Sequence, residues 1–365
     1  MKNTFGSSLS VTLFGESHGE MIGAVIDGIA PGIRIDHERI RTALGQRRPY
    51  GKISTARVEE DKLRIVSGEY GGYTTGAPLT ILIPNEDTRS SDYDKFKVTP
   101  RPSHADLTAG YKYHGFEDHR GGGHFSGRVT AALVAAGALV AAALEERGIY
   151  IGTHIAALGG VSDRPFLSPR EDIALLAQRA FPVIDDEAAE AMKKYIEECA
   201  ESGDSTGGVL ESCVVGIPEG VGEPWFDTVE GVLAHALFSV PAIKGVEFGA
   251  GFGFARMRGS EANDPYAVKD GKIVTVTNNS GGICGGITNG MPLIYRCAVK
   301  PTPTIFRAQR TVDLTTMTET ELTCHGRHDP AIIHRARAVV DAVSALAIAD
   351  LLALRYGTDW LSGKQ

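Results

Sequence analysis

The alternation of apolar and polar positions in the N-terminal part of the chain is typical of β-strands. Apolar side chains recur at every second position over several short runs, so that one face of each run can be buried. Strands are therefore predicted at residues 10–14, 22–26, 62–66 and 79–83. A later strand follows the glycine-rich residues 203–208 and passes through Val214. The polar, turn-rich residues 85–102 predict a long functional loop or lid.

Longer apolar runs with polar ends predict helices. The clearest helix begins near Ser126, whose hydroxyl can cap the first turn, and ends before Gly148. Asp329 is suited to cap the last helix, with Pro330 in its first turn. Further helices are predicted from Asp36, as the N-cap, through Leu44, over residues 186–201 and 228–238, and from Pro330 to about Leu354.

The order of these elements favours an α+β fold, because strands and helices occur in blocks rather than in strict alternation. No proline-rich or serine-rich linker and no charge tract divides the chain, so one large domain over residues 1–365 is expected. The most apolar run, residues 129–144, is rich in alanine. It is shorter than the roughly 20 residues of a membrane span, so a buried helix is predicted there.

The composition narrows the class of partner. Hydrophobic residues make up 42% and charged residues 22%, which is ordinary for a globular protein. The net charge of −8 argues against nucleic acid or an anionic membrane as the main partner, so anion binding must depend on local arginine clusters. Residues 1–6 lack an apolar signal region, and the five cysteines lack metal-ligand spacing. A cytoplasmic protein with reduced thiols and no zinc site is expected.

Histidines and carboxylates stand beside glycine, proline or arginine in three distant segments. These segments contain His18, His104 and Asp329. An imidazole titrates near neutral pH and can protonate a leaving oxygen. Each of the three could equally be a turn or cap residue bonded to backbone. If the fold brings them together, the site would suit removal of a proton and an anionic leaving group from one small substrate.

Residues 118–128 contain three consecutive glycines before a helix start, flanked by Arg120 and Arg128. Free backbone N–H groups, the helix dipole and two guanidiniums would together bind an anion. The spacing matches neither the Walker loop nor the dinucleotide fingerprint, and a plain glycine turn is the alternative. Residues 47–48 could form a solvated basic face, and residues 300–304, with two prolines, could form a rigid loop.

Taken together, these segments resemble the chorismate synthase family over nearly the whole chain. The matching motifs, in family order, are residues 15–19, 27–28, 47–49, 74–76, 104–106, 118–123, 203–205, 244–247, 300–302 and 327–329. The resemblance implies a β-α-β sandwich with helices between two antiparallel sheets, assembled as a homotetramer. It also implies a lyase of the shikimate pathway of aromatic amino acid biosynthesis. The reaction would be 1,4-anti elimination of phosphate from 5-enolpyruvylshikimate 3-phosphate to give chorismate, with reduced FMN (FMNH2) and no net redox change.

The resemblance also implies roles for single residues. His18 would protonate the departing phosphate, His104 would stabilise the reduced flavin or donate to it, and Asp329 would help the flavin N5 remove the ring proton. The substrate would be held by Ser17, Arg47, Arg48, Arg101, Ser126, Arg128 and Arg327. The flavin would contact His124, Phe125, Ser126, Pro241, Ala242, Gly285, Lys300, Pro301, Thr302, Pro303, Thr304 and Arg327. No metal is expected.

Some family members reduce their own FMN with NADPH, and the corresponding NADP contact would be Arg47. Without a dinucleotide fingerprint, this chain is expected to depend on an outside source of reduced flavin. Four positions depart from the usual family pattern. His124 replaces an arginine, Val129 a glutamate, Ser103 a glycine and Pro241 an asparagine. Two other functions fit the residues alone: a non-catalytic sugar-phosphate-binding protein, and a flavin reductase.

Overall fold

The computed structural model of the chain describes residues 2–49, 51–54, 61–86, 94–324 and 329–362. Its helices are α1 His37–Gln46, α2 Asp94–Val98, α3 Asp106–Tyr113, α4 Thr130–Glu146, α5 Pro169–Gln178, α6 Asp186–Glu201, α7 Val229–Phe238, α8 Gly259–Ala262 and α9 Ile333–Tyr356. Short 3₁₀ turns occur at Gly51–Ile53, Arg120–Phe125, Gly127–Val129, Trp225–Asp227, Gly251–Arg256 and Thr358–Ser362.

The strands, in chain order, are β1 Thr4–Phe5, β2 Ser10–Gly15, β3 Met21–Asp27, β4 Arg64–Ser67, β5 Glu69–Tyr70, β6 Tyr73–Thr74, β7 Leu79–Pro84, β8 Tyr150–Leu158, β9 Val161–Ser162, β10 Gly208–Val215, β11 Ile243–Phe248, β12 Tyr266–Lys269, β13 Lys272–Thr275, β14 Ile283–Cys284, β15 Ile287–Thr288, β16 Leu293–Val299, β17 Gln309–Asp313 and β18 Thr318–Leu322.

Two five-stranded antiparallel sheets form the outer layers. The first has the strand order β1-β2-β3-β7-β4, and the second has the order β11-β16-β10-β8-β9. In β7 the alternation predicted from the sequence is plain, because Leu79, Ile81 and Ile83 are fully buried while their neighbours are not. Register places Ile83 opposite Ile22 on β3, so the buried faces of both strands lie on the same side.

Helices α4 and α9 lie between the two sheets and contact strands of both. Gly137 of α4 lies at a close contact between the two helices. A Cβ atom there would lie 2.4 Å from the Cβ of Ala342 on α9, which is too close for any side chain. The core is one continuous cluster that includes residues of both sheets and both helices. The α+β class and the sandwich of helices between antiparallel sheets are thus confirmed.

Most predicted elements are present, and two predictions are wrong. The polar residues 85–102 are not a continuous loop, because α2 lies within them; residues 87–93 of the predicted lid lie outside the described residues. The last helix begins at Ile333 rather than Pro330, and its N-cap residue is Ile332. Asp329 is therefore not the cap, because its carboxylate binds the guanidinium of Arg335 instead.

One helical stretch among the described residues, Gly127–Glu146, is long and apolar enough to cross a bilayer by length and composition. The sequence argument treated this run as too short to cross a bilayer, and the length of the helical stretch contradicts that step. The prediction of a buried helix is confirmed, since 83% of the most apolar window is buried inside the structure. Alanine-rich sequence suits this position, because α4 is enclosed by two sheets and by α9.

Candidate active site

A cavity of about 1040 Å³ opens between the ends of the two sheets and the helical layer. Its apolar wall comes from α4 and α9, which contribute Val129, Leu133, Val339, Val343 and Leu346. Its polar wall comes from several distant segments and contains Arg47, His104, His124, Ser126, Lys244, Lys300, Thr302, Thr304, Asp329 and Arg335. Its volume is at the upper end of the range of about 300–1,000 Å³ for single-ligand pockets. It therefore has room for more than one small molecule.

The triglycine turn joins two of the segments singled out in the sequence. The N–H of Ser17 donates to the carbonyl of Gly123 at 3.0 Å, and the Nδ1–H of His124 donates to the carbonyl of Gly15 at 2.8 Å. Gly121 has a φ of 62°, and a Cβ there would lie 2.6 Å from the His18 ring. Glycine is required at this position by conformation and by space. His18 and Ser17, 8% and 1% exposed, are buried beneath the turn.

His104 is held by a carboxylate that is itself held by an arginine. The Nδ1 atom of His104 lies 2.6 Å from Oδ1 of Asp106. Arg101 donates to Asp106 through Nη2 at 2.8 Å, through Nε at 2.8 Å and through its backbone N–H at 3.0 Å. Burial opposes ionisation of Asp106, but the hydrogen bonds from Arg101 and His104 outweigh it and hold the pKa of Asp106 below its usual range.

Asp61 holds two of the predicted substrate-binding arginines together. Its Oδ2 lies 3.3 Å from Nη2 of Arg47, and its Oδ1 binds Nη1 of Arg128. All three residues are buried, with the Asp61 side chain 1% exposed. Burial lowers the pKa of Arg47 to about 10, with Asp61 opposing this shift and Arg335 adding to it. The guanidinium of Arg47 therefore stays charged at neutral pH in the cavity wall.

Asp329 and Arg335 form a second ion pair in the cavity wall. Nη1 of Arg335 binds Oδ2 of Asp329, while Nε of Arg335 donates to the carbonyl of Arg47 at 2.8 Å. Arg335 belongs to the first turn of α9, so it links the helix to the end of α1. The carboxylate of Asp329 is thus held at the cavity by a neighbouring cation.

Lys300 connects the segment after β16 to the turn that carries His104. Its Nζ donates to the carbonyl of Ser103 at 2.5 Å. Ser103 has a φ of 59°, a left-handed conformation that a non-glycine residue adopts at a cost. Burial lowers the pKa of Lys300, and the nearby charge of Lys244 adds to the shift. Both lysines line the cavity, so two cations face one region of its wall.

Not every predicted site residue lines the cavity. The predicted residues that do are Arg47, His104, His124, Phe125, Ser126, Pro241, Ala242, Lys300, Thr302, Pro303, Thr304 and Asp329. Ser17, His18, Arg48, Arg101, Arg128 and Pro301 lie on segments next to it and are not part of its wall. Gly285 lies in the exposed turn between β14 and β15, apart from the cavity of its own chain. Arg327 lies outside the described residues.

At the triglycine turn, both arginines that were predicted to bind an anion have carboxylate partners within the chain. Arg120 donates two hydrogen bonds of 2.8 Å to Asp118, and Arg128 is buried and donates to Asp61. The departures from the family pattern are also accommodated. His124 binds backbone, and Val129, 5% exposed, belongs to the apolar wall of the cavity.

Sequence reasoning missed three residues of this site: Asp61, Lys244 and Arg335. The lysine is part of a motif noted in the sequence, but no spacing marks it as facing a cavity. Asp61 contacts Arg128, which is 67 residues away, and Arg335 contacts the carbonyl of Arg47, which is 288 residues away. A sequence pattern gives no signal for such contacts. Among the described residues, no group of three or more side chains is placed to hold a metal ion.

Comparison with known proteins agrees with the architecture. Residues 9–353 match the family model described as chorismate synthase. The chain is 48% identical over 350 residues to the chorismate synthase of Thermococcus gammatolerans, covering 96% of this chain and 97% of that protein. It is 46% identical over 359 residues to the chorismate synthase of Dehalococcoides mccartyi, covering 98% of each.

The chain belongs to the chorismate synthase family. A solved structure titled "Crystal Structure of Chorismate Synthase" also matches, with a TM-score of 0.75, 30% identity, and coverage of 97% of this chain and 94% of that one. Chorismate synthases are lyases that act on a small molecule. Membership of the family was predicted from the order of short motifs, and it is confirmed.

Proposed function

We propose that the chain eliminates phosphate from 5-enolpyruvylshikimate 3-phosphate to form chorismate. In this 1,4-anti elimination the bond from ring carbon to phosphate oxygen breaks, and a C–H bond on the same ring is lost. The products are chorismate and inorganic phosphate, and no electrons are gained or lost overall. One observation supports the proposal most strongly: Arg47, His104, Lys300 and Asp329, from four distant parts of the chain, line a single cavity.

Reduced FMN is the cofactor implied by the family, and the cavity fits it. The apolar wall of α4 and α9 suits a flat ring system, and Lys300 with Thr302 and Thr304 suits a phosphate group. The hydroxyl oxygen of Thr302 and the Nε atom of Arg47 are buried, with no hydrogen-bond partner among the described residues. Buried polar atoms of this kind are costly unless a ligand binds them.

FMN would be held by His124, Phe125, Ser126, Pro241, Ala242, Lys300, Thr302, Pro303 and Thr304, all of which line the cavity. Bound in its reduced form, it would supply electron density to the allylic system as phosphate leaves. The protein would bind and orient both ligands and keep water from them. Gly285 and Pro301 are the flavin contacts implied by the family that lie off this wall.

The substrate carries a phosphate and two carboxylates, so it needs cations in a protein whose net charge is −8. Arg47 and Arg335 line the cavity and supply guanidiniums there. The other members of the proposed set are Ser17, Arg48, Arg101, Ser126, Arg128 and Arg327. In the free protein Arg101 and Arg128 are bound to Asp106 and Asp61.

Proton transfer is assigned to three residues. His18, buried beside Ser17 under the triglycine turn, would give a proton to the departing phosphate oxygen. His104 would stabilise the reduced cofactor from the cavity wall. The carboxylate of Asp329 would help to remove the ring proton, a role that it would share with the flavin N5. Its ion pair with Arg335 fixes its position at the cavity.

The assembly proposed for this chain is a homotetramer, in the cytoplasm, supplied with reduced FMN from outside. The hairpin β12–β13 supports an assembled state, because Tyr266, Val268 and Ile273 are each more than 70% exposed. Light scattering coupled to size exclusion should give four times 38.8 kDa. A monomer at micromolar concentration would contradict the tetramer without affecting the assigned reaction.

The decisive experiment is an anaerobic assay of phosphate release from 5-enolpyruvylshikimate 3-phosphate, with and without dithionite-reduced FMN. We expect release only with reduced FMN. Release without flavin would overturn the cofactor assignment. Substrate binding without any elimination would favour a sugar-phosphate-binding protein. Tight FMN binding with NADPH oxidation and no elimination would favour a flavin reductase.

A further inference from the structure

His104 stands in the partition between two cavities. It lines the cavity of about 1040 Å³ and also a smaller one of about 230 Å³, lined besides by residues of α3 and of the triglycine turn. Only the Nδ1 edge of the ring has hydrogen-bonding neighbours among the described residues, namely Asp106 at 2.6 Å and Arg101 at 3.1 Å. The Nε2 edge faces Gly122, where even a Cβ atom would lie 4.0 Å away.

These contacts fix the tautomer of the neutral imidazole. A guanidinium can only donate and an ionised carboxylate can only accept, so Nδ1 cannot serve both neighbours in one protonation state. The carboxylate is the closer of the two, and Nη2 of Arg101 already donates to the same Oδ1 of Asp106 at 2.8 Å. The proton therefore lies on Nδ1, which leaves Nε2 with a lone pair and makes Nε2 the nitrogen that exchanges a proton.

Asp106 cannot turn away from His104 without losing its other bonds. Its Oδ2 accepts from both Nε and the backbone N–H of Arg101, at 2.8 and 3.0 Å. The guanidinium of Arg101 is fixed in turn by burial and by stacking over the ring of Phe96, 4.3 Å from the ring centroid. A rigid series of contacts thus runs from Phe96 through Arg101 and Asp106 to the imidazole.

We propose that Asp106 is a positioning residue for His104. It keeps the ring in the Nδ1–H form, aligns it at the cavity and stabilises the imidazolium when Nε2 accepts a proton. In the Ser-His-Asp triads of hydrolases, a carboxylate orients the catalytic histidine in the same way. Loss of that carboxylate lowers turnover by about 10⁴-fold. The inference deepens the proposed function and rests on it only for the kinetic part of the test.

Other charges surround the ring, and none of them replaces Asp106. Lys300 donates to the carbonyl of Ser103, the residue before His104. Across the larger cavity are Arg47, Lys244, Asp329 and Arg335, and around the smaller one are Lys97, Glu117, Asp118 and His119. None of these has a hydrogen bond to the imidazole within the described part of the chain, so Asp106 is the carboxylate that sets its tautomer.

The first test needs no ligand. In the free protein labelled with ¹⁵N-histidine, long-range ¹H–¹⁵N correlation should show the Nδ1–H tautomer for His104, with the signal assigned by its loss in His104→Ala. Asp106→Asn should shift the population to Nε2–H, because the amide oxygen turns to Arg101 and its NH₂ group faces Nδ1. An unchanged tautomer in Asp106→Asn would overturn the proposal, whether or not the protein makes chorismate.

The second test is kinetic. Asp106→Asn should lower kcat by about 10²–10⁴-fold while KM changes little. Because Asp106 acts through His104, the double variant His104→Ala/Asp106→Asn should be no slower than His104→Ala. Losses that multiply would overturn the proposal. Asp106→Glu keeps the charge and should recover part of kcat. If Asp106→Glu has the same low kcat as Asp106→Asn and an unchanged unfolding midpoint, the proposal that the carboxylate orients His104 is wrong.

A matched control is Asp172→Asn. Asp172 is likewise a buried carboxylate at a helix start that is clamped by an arginine, Arg164, at 2.6 Å, but it does not line the cavity. Its loss should lower thermal stability without changing kcat. A comparable fall of kcat in this control would show that any damaged helix start slows the enzyme, and would count against the proposed role of Asp106.

If the wild-type chain releases no phosphate, the proposed function fails. The tautomer measurement still decides the role of Asp106 in that case.

Discussion

The backbone N–H of Ser17 donates to the carbonyl of Gly123 at 3.0 Å, and this bond ties the end of β2 to the triglycine turn. The turn in turn carries His124, Phe125 and Ser126 into the cavity wall. The bond therefore connects the segment of His18 to the segment that we propose to bind the flavin. His104 lies on the cavity wall, whereas His18 lies buried beneath the turn.

Replacing either histidine by alanine should lower turnover by about 10²–10⁴-fold, the usual contribution of a positioned acid or base. Anaerobic steady-state kinetics with reduced FMN would measure it for His18→Ala and His104→Ala. His37→Ala is the matched control, because its side chain is 50% exposed on α1 and its nearest carboxylate is 3.9 Å away. Near-normal rates in both active-site variants would remove these residues from the mechanism.

Asp61→Asn should destabilise the protein and weaken substrate binding. The change leaves the buried guanidiniums of Arg47 and Arg128 without the carboxylate that both of them contact. Breaking a buried ion pair from one side typically costs about 3–5 kcal/mol. The expected results are a lower urea midpoint and a raised KM for the substrate, with a smaller effect on kcat.

The control for Asp61 is Glu319→Gln, which breaks an exposed pair with Arg310 at 2.9 Å. Exposed pairs contribute about 0–1 kcal/mol, so its urea midpoint should stay near that of the wild type. Equal midpoints for Asp61→Asn and Glu319→Gln would mean that the buried carboxylate does not hold the two arginines in place.

Gly137→Ala should destabilise the core by about 1–3 kcal/mol or more, as overpacking does. The added methyl group would lie 2.4 Å from the Cβ of Ala342 and 2.5 Å from its Cα, so α4 and α9 would have to move apart. Gly45→Ala in α1 is the matched control, because nothing lies within 4 Å of the position that its methyl group would take. It should be neutral or stabilising by up to about 1 kcal/mol. Chemical denaturation measures both, and equal effects would contradict the close helix contact.

His154 should make stability depend on pH. Burial opposes its charge, but hydrogen bonds to Asp163 at 2.6 Å and Glu211 at 3.3 Å outweigh burial and raise the pKa of His154. A raised folded pKa means that the stabilisation is complete below the unfolded pKa of about 6.5 and is lost as pH rises through the folded value. Thermal midpoints of wild type and His154→Gln should therefore differ more at pH 6 than at pH 9. A difference that is constant with pH would contradict this assignment.

The local sequence pattern correctly predicted those strands and helices that bury one face. The runs at residues 10–14 and 79–83 became β2 and β7, because alternation at every second position is what an outer sheet with one buried face requires. The helix after Ser126 was also predicted, since its hydroxyl accepts from the N–H of Arg128 at the first turn. The position of the helices between the two sheets was predicted only from the family resemblance. A local sequence pattern shows that a strand or helix has a buried face, but not which other element covers that face.

The errors have different physical causes. Asp329 has the sequence of a cap, but the guanidinium of Arg335 is a stronger partner than a backbone N–H. The pairing of Asp61 with Arg47 and Arg128 depends on strands and helices that meet only in the folded protein. Helix α2 is five residues long, too short to show a period in the sequence.

The contact at Gly137 also links the interior of the fold to its chemistry. Because α4 and α9 touch there almost backbone to backbone, the spacing of the two layers depends on main-chain atoms rather than on side-chain bulk. The same two helices provide the floor of the ligand chamber through Leu133 and Val343. Mutations that bring α4 and α9 closer together to raise heat resistance should therefore also narrow the cavity that we propose for substrate and cofactor.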